Sequence, residues 1–220
     1  MKRSLPGGTS VTDKKYLAIV QHLESCLEKY GDTHRGVDWP KAEDVDKRHN
    51  VMMGVIARNS PEPIELLDFG CGLSHFYEYL QRNNLLDGIR YTGLDISHKY
   101  IGISKRKFPA NTYYCLDFLE SGSTLPDFDY IVMNGVFTAK CTLSYEEMLW
   151  YFQSLVVKVF TKARIGIAFN VMSKHVDWER EDLFHLSLDV LASFLTKQVS
   201  RHFVIRHDYR LYEYTTYVYR

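Results

Sequence analysis

From Ile64 onward the chain alternates short apolar runs with segments of helical period, and few architectures accept that alternation. Ile64–Phe69 ends in Gly-Cys-Gly and leads into a helical stretch, Ser74–Asn83. Arg90–Asp95 follows, with a helix-like segment through Lys107, and then come the runs Thr112–Leu116 and Tyr130–Met133. Ser144 and Glu147 have capping-box spacing ahead of a helix marked by Met148, Phe152, Leu155 and Val159. Ile165–Phe169 reads as a fifth strand, and Leu188, Leu191, Ala192 and Leu195 share one more helical face. Such alternation builds βαβ units, hence a mostly parallel sheet covered on both sides. The end of the chain breaks the pattern. Arg201–Arg206 and Tyr212–Tyr219 are β-prone stretches with no room for a crossover helix between them, so they must run antiparallel. Apolar and aromatic groups fill both registers of Tyr212–Tyr219, which places that strand inside the sheet. The expected fold is therefore α/β, a doubly wound seven-stranded sheet with a terminal antiparallel strand and helices on both faces.

The segment ahead of the sheet is helical. Ser10-Val-Thr-Asp13 has capping-box form, and Tyr16, Val20, Leu23, Leu27 and Tyr30 recur at steps of four and three. Gly31 ends that helix. Pro40 is expected in the first turn of a second one, on which Val45, Met52 and Ile56 share a face. The division expected is a helical extension over residues 1–59, acting as a lid, and a main domain over 60–220. With 220 residues the chain can bury its own core. Lys+Arg and Asp+Glu both total 27, which removes the simplest argument for a nucleic-acid partner. No apolar run approaches a membrane span, and no apolar stretch follows the basic start as in a signal peptide. Four scattered cysteines suit a reducing compartment better than a disulfide scaffold or zinc site, so a cytoplasmic protein is expected.

The chemistry centres on Leu66-Leu-Asp68-Phe-Gly70-Cys71-Gly72, a strand ending in an acid and a G-x-G turn. Between a strand and a helix, such glycines let backbone approach a ligand closely. A second acid, Asp95, ends the next strand, where a ribose diol lies in a doubly wound fold. A dinucleotide site wants a third glycine three residues after Gly72, and this chain has the bulky His75 there. That argues against a nicotinamide cofactor.

The ordered series Asp68-Phe-Gly-Cys-Gly, Gly-Leu-Asp95, Leu-Asp117-Phe118 and Phe128-Asp-Tyr-Ile-Val-Met-Asn134 resembles the motifs of class I S-adenosylmethionine-dependent methyltransferases. The resemblance covers about residues 60–220 and implies a Rossmann-like fold. Gly36-Val-Asp-Trp39, Arg48 and the ending Tyr212–Arg220 resemble a bacterial subgroup of that family whose substrates are mostly unassigned. It implies S-adenosylmethionine as cofactor. Asp68 and the backbone of Gly70, Cys71 and Gly72 would hold its methionine part. Asp95, with Ile96 beside it, would accept both ribose hydroxyls. Asp117 would take the adenine amino group, with Phe118 adjacent, and Asn134 would face the reacting methyl. Asn134-Gly-Val-Phe137 departs from the Asn-Pro-Pro-aromatic signature of enzymes that methylate adenine or glutamine.

Methyl transfer from a sulfonium is an in-line displacement whose leaving thioether needs no acid. Positioning can then supply much of the rate, and a hydroxyl acceptor also benefits from a base. The stretch Asn170–Trp178 after the fifth strand is read as a loop, and His175 is the candidate base there, with Asp177 orienting it or acting instead. His175 and Asp177 are too few to hold a metal, and none is expected. Arg48 is a candidate for an anionic group, either the methionine carboxylate or one on the acceptor. The function expected is methylation of a small molecule or saccharide, on oxygen. Methylation of protein or nucleic acid, and a non-catalytic binding role, are the alternatives.

Overall fold

A computed structural model describes residues 14–57, 63–120 and 122–220. The Ser10–Asp13 capping box and the boundary expected at residues 59 and 60 lie outside these. Two helices, α1 (Leu17–Tyr30) and α2 (Val45–Met53), precede the sheet, with short 3-10 turns at His34–Val37 and Ala42–Asp44 between them. Pro40 lies ahead of both the second turn and α2, so it sits outside the helix it was expected to start. The chain continues through β1 (Ile64–Phe69), α3 (His75–Arg82), β2 (Ile89–Asp95), α4 (His98–Lys107) and β3 (Thr112–Cys115). It then forms β4 (Phe128–Met133), α5 (Tyr145–Phe160), β5 (Ala163–Ser173), β6 (His185–Leu186), α6 (Leu188–Phe194), β7 (His202–Arg206) and β8 (Glu213–Tyr219).

The strand order is β3-β2-β1-β4-β5-β8-β7, with β6 added beside β5. Pairing is parallel through β5, and β8 lies antiparallel between β5 and β7. The expected sheet is thus present, with the two-residue β6 as an eighth strand. β8 is buried on both faces over Glu213–Val218, as its doubly apolar pattern demands. Two apolar layers cover the sheet. One joins Tyr16 and Ile19 to residues of α5 and α6; the other joins Val51 and Met52 of α2 to Phe76, Tyr79 and Leu80 of α3 and to Ile101 of α4. The tyrosines of the strands belong to these layers: Tyr91, Tyr113, Tyr130, Tyr214 and Tyr217 are all buried.

Ser144 caps α5 as expected, accepting from Glu147 N–H while the Glu147 carboxylate accepts from Ser144 N–H. One element runs longer than its sequence pattern. β5 continues past Phe169 to Ser173, because β8 pairs with it from Gly166 to Met172 and β6 pairs at Met172 and Ser173. Strand order reverses direction between β1 and β4, and the crevice at the carboxyl ends of those strands is where this architecture binds ligands.

Candidate active site

A cavity of about 1130 Å³, its open mouth included, lies at that crevice. Its floor is the turn after β1. Gly70 has φ +77, and a side chain there would place a Cβ 2.6 Å from Val136 Cγ2, so only glycine fits. Gly70 and Cys71 donate their N–H groups to Leu94 O at 2.7 and 2.9 Å, which ties the turn to the end of β2. Asp95 completes the tie. One carboxylate oxygen accepts from Gly72 N–H at 2.9 Å and the other from Ser97 N–H at 2.8 Å. The acid therefore shapes the glycine turn as well as facing the cavity.

Both strand-end acids are buried. Burial pushes the Asp95 carboxyl up to about 6, opposed by the backbone N–H groups it accepts. Asp68 rises further, to about 7, because burial and the neighbouring Asp95 charge outweigh the hydrogen bond donated by Tyr91 Oη at 2.7 Å. At a second end of the cavity Asp117 accepts from Tyr16 Oη at 2.5 Å and from Leu119 N–H at 3.0 Å. Tyr16 stacks on Tyr151 with ring centroids 4.9 Å apart, and Phe118 packs edge-on to Phe69. Ile96 and Cys71 also line the cavity.

Asn134, Trp39 and His49 also line the cavity. Both side-chain polar atoms of Asn134 are buried and without a hydrogen-bond partner among the described residues. Trp39 Nε1 lies 3.3 Å from where a Cβ on Gly135 would stand, and its ring centroid is 5.4 Å from that of His49. His49 is 2 % exposed, enclosed by Trp39, Phe76 and Tyr79, and its Nδ1 has no partner. Burial, then the charges of His75, Arg82 and Arg48, pushes its pKa down to about 3, so the imidazole is neutral.

Residues 67–153 match the family model of a methyltransferase domain. The protein Rv1506c of Mycobacterium tuberculosis, which carries a provisional methyltransferase name, is 25% identical over 159 residues, covering 71% of this chain and 93% of its own. Among solved structures, the magnesium protoporphyrin IX methyltransferase of Synechocystis PCC 6803 with bound S-adenosylmethionine superposes with a TM-score of 0.63 at 14% identity. The match covers 96% of this chain and 100% of that one. Residues 67–153 thus form a methyltransferase domain, on a fold shared with S-adenosylmethionine-dependent methyltransferases. An amino pentose methyltransferase of Micromonospora echinaspora shares the fold, with a TM-score of 0.56 at 11% identity over 97% of this methyltransferase and 100% of the other.

The structure gathers Asp68, Gly70, Cys71, Gly72, Asp95, Ile96, Asp117, Phe118 and Asn134 of the methyltransferase around one cavity. It does not bring Arg48, His175 or Asp177 there. Arg48 Nε instead donates to both carboxylate oxygens of Glu213, at 3.1 and 3.0 Å. Glu213 is 2 % exposed and sits in β8, and a buried carboxylate requires such a partner. Asn170 Nδ2 donates to the same carboxylate at 2.9 Å, and its Oδ1 accepts from Gly135 N–H at 2.7 Å. Arg48 thus acts at the cavity indirectly, through this chain to Gly135, over the Trp39 ring at 5.3 Å and by its charge on His49. His175 and Asp177 are exposed beyond the end of β5, outside the cavity lining. The extra length of β5 carries them there. Sequence reasoning missed His49, although one signal marks it: it is the polar member of the stripe Val45, His49, Met52 and Ile56.

Asp68 gives the methyltransferase a testable cost. Its folded-state pKa exceeds the ordinary carboxylate value, so between about pH 4 and 7 the folded state holds the proton more tightly than the unfolded one. Stability is then lost as pH rises through that window, and the full cost remains above pH 7. Asp68→Asn keeps an acceptor for Tyr91 and removes the buried charge. It should stabilise the cofactor-free protein by about 1–3 kcal/mol at pH 8 and hardly at all at pH 4, measured by urea unfolding. Equal effects at the two pH values would show that Asp68 is not charged in the folded protein.

Proposed function

We propose that the enzyme methylates a hydroxyl of a small molecule or saccharide, with S-adenosylmethionine held along the strand-end acids. The observation that carries this reading is that one cavity is lined by both the Asn134 amide, unpartnered among the described residues, and the neutral His49 imidazole beside Trp39. In this reading Asp68 and the Gly70–Gly72 backbone bind the methionine part, Asp95 accepts the ribose diol, and Asp117 with Phe118 binds the adenine. Tyr16 bridges α1 to Asp117, so the N-terminal segment through α2 acts as a lid and supplies much of the acceptor wall.

The transfer forms an O–CH3 bond as the S–CH3 bond breaks, the electron pair passes to sulfur, and the hydroxyl proton must leave. His49 takes that proton. S-adenosylmethionine, held by the strand-end acids, would supply the methyl group, and its positive charge would be lost as His49 gains one, so the net charge of the site would not rise. A concave, largely apolar cavity with a few polar groups converging on it suits a small acceptor. It favours such an acceptor over a folded protein or a duplex. The amino pentose enzyme that shares the fold supports a sugar as one acceptor class.

Methyl-labelled cofactor incubated with a metabolite extract and the enzyme tests the reading. Label is expected in a small product as a methyl ether, identified by mass spectrometry. Label found only in protein or nucleic acid when those are supplied would overturn it.

A further inference from the structure

We propose that His22, Cys26 and Asp38 form a three-ligand site for a zinc-class divalent ion on the N-terminal segment. This goes beyond methyl transfer and does not depend on the acceptor. His22 and Cys26 lie one turn apart on the same face of α1. Asp38 follows the His34–Val37 turn, and its φ of 60 puts it in the left-handed region that non-glycine residues enter at a cost. That conformation sets its carboxylate against both α1 side chains. Asp38 Oδ2 lies 2.8 Å from His22 Nε2, Asp38 Oδ1 lies 3.8 Å from Cys26 Sγ, and Cys26 Sγ lies 3.8 Å from His22 Nε2. One nitrogen, one sulfur and one carboxylate therefore converge, all within 4.8 Å of one another.

The dimensions suit a tetrahedral ion. With zinc about 2.3 Å from sulfur and about 2.0–2.1 Å from nitrogen and oxygen, neighbouring ligand atoms stand about 3.3–3.6 Å apart. The 2.8 and 3.8 Å edges at Asp38 run to its two different oxygens, and with all three ligand atoms within 4.8 Å of one another, shifts of about an ångström close the site. A thiolate with an imidazole selects zinc or cobalt over magnesium or calcium, which prefer all-oxygen sets. Without an ion, burial and the Asp38 carboxylate push the Cys26 thiol up and keep it protonated. Ion binding replaces that proton: the S–H bond breaks, the S–metal bond forms, and one proton enters solvent. Cys141 and Asp182 lie within electrostatic range of the trio, and Asp182 is already paired with Arg180. The fourth position thus falls to water.

The site has a structural consequence. Asp38 stands between Val37 and Trp39, both cavity-lining, while α1 contributes Ile19, Val20 and Leu23 to the same cavity. An ion at the trio staples the helix to the turn and fixes the cavity wall.

Cobalt(II) titration of the full-length, chelator-treated protein tests the site. The expected result is one equivalent bound, with tetrahedral cobalt absorption and a thiolate-to-cobalt charge-transfer band that zinc displaces. Cys26→Ser should remove the band, while Cys115→Ser keeps it. His22→Ala or Asp38→Asn should weaken cobalt binding by about tenfold or more, at least what losing an outer-shell partner costs. Retained S-adenosylhomocysteine binding verifies that each variant is folded. Absence of the band at one equivalent, or a band that survives Cys26→Ser, overturns the proposal.

Discussion

Replacing Asp95 with alanine should weaken S-adenosylhomocysteine binding by roughly 100- to 1000-fold, the loss of two hydrogen bonds to a charged group at about 1.5–3 kcal/mol each with partial compensation. The carboxylate holds Gly72 and Ser97 N–H groups at 2.9 and 2.8 Å, which leaves lone pairs on both oxygens for the ribose diol. The alanine variant therefore loses the ligand contacts and loosens the glycine turn together. Asp95→Asn separates these effects, because an amide oxygen can accept from one side while its NH2 repels the second donor. Its affinity should fall between the two. Protonation acts on the same group: burial raises its pKa to about 6, and the protonated acid cannot accept both hydroxyls, so wild-type binding weakens as pH falls below about 6. Calorimetry at pH 5 and pH 8, with circular dichroism to verify folding, measures all three. Unchanged affinity in Asp95→Ala would place the ribose elsewhere.

The second large effect concerns the base. His49→Phe keeps an aromatic ring among Trp39, Phe76 and Tyr79 and removes the proton acceptor, so packing survives while catalysis does not. Turnover should fall by about 100-fold or more, within the usual 10²–10⁴ contribution of a positioned base. S-adenosylhomocysteine affinity should stay within about threefold of wild type, since in the proposed reading His49 faces the acceptor rather than the cofactor. His175→Ala, altering an exposed loop, should turn over normally. The pH profile gives a separate readout. Because His49 is a free base down to about pH 3, kcat should be flat from pH 6 to 9. A sigmoidal rise near pH 6.5, or a fully active His49→Phe enzyme, would assign the proton to another group.

How far the sequence reached depended on the range of the contacts involved. The strand-end acids and the glycine turn were legible because strand, turn and helix are contiguous, and the turn's chemistry is local. Asp95 stands only 23 residues from Gly72, one βα unit away. The antiparallel close of the sheet was legible because no crossover fits between β7 and β8. What failed were pairings across the whole chain. Arg48 meets Glu213 at a separation of 165 residues, which no spacing rule connects. The same holds for β5, whose polar end at Asn170 and Ser173 looks like loop until β8 and β6 are laid against it. Those four extra residues displaced the expected base from the cavity. His49 was hidden differently: its position in an apolar stripe reads as core, and only the tertiary structure shows the stripe to be a cavity wall.

The central claim is that this cavity binds S-adenosylmethionine through its strand-end acids. Isothermal titration calorimetry of the full chain at pH 8 addresses it most directly. The account predicts one site per chain for both S-adenosylmethionine and S-adenosylhomocysteine, with micromolar affinity of about 7–8 kcal/mol. No heat with either compound, alongside measurable binding of NAD, would contradict it.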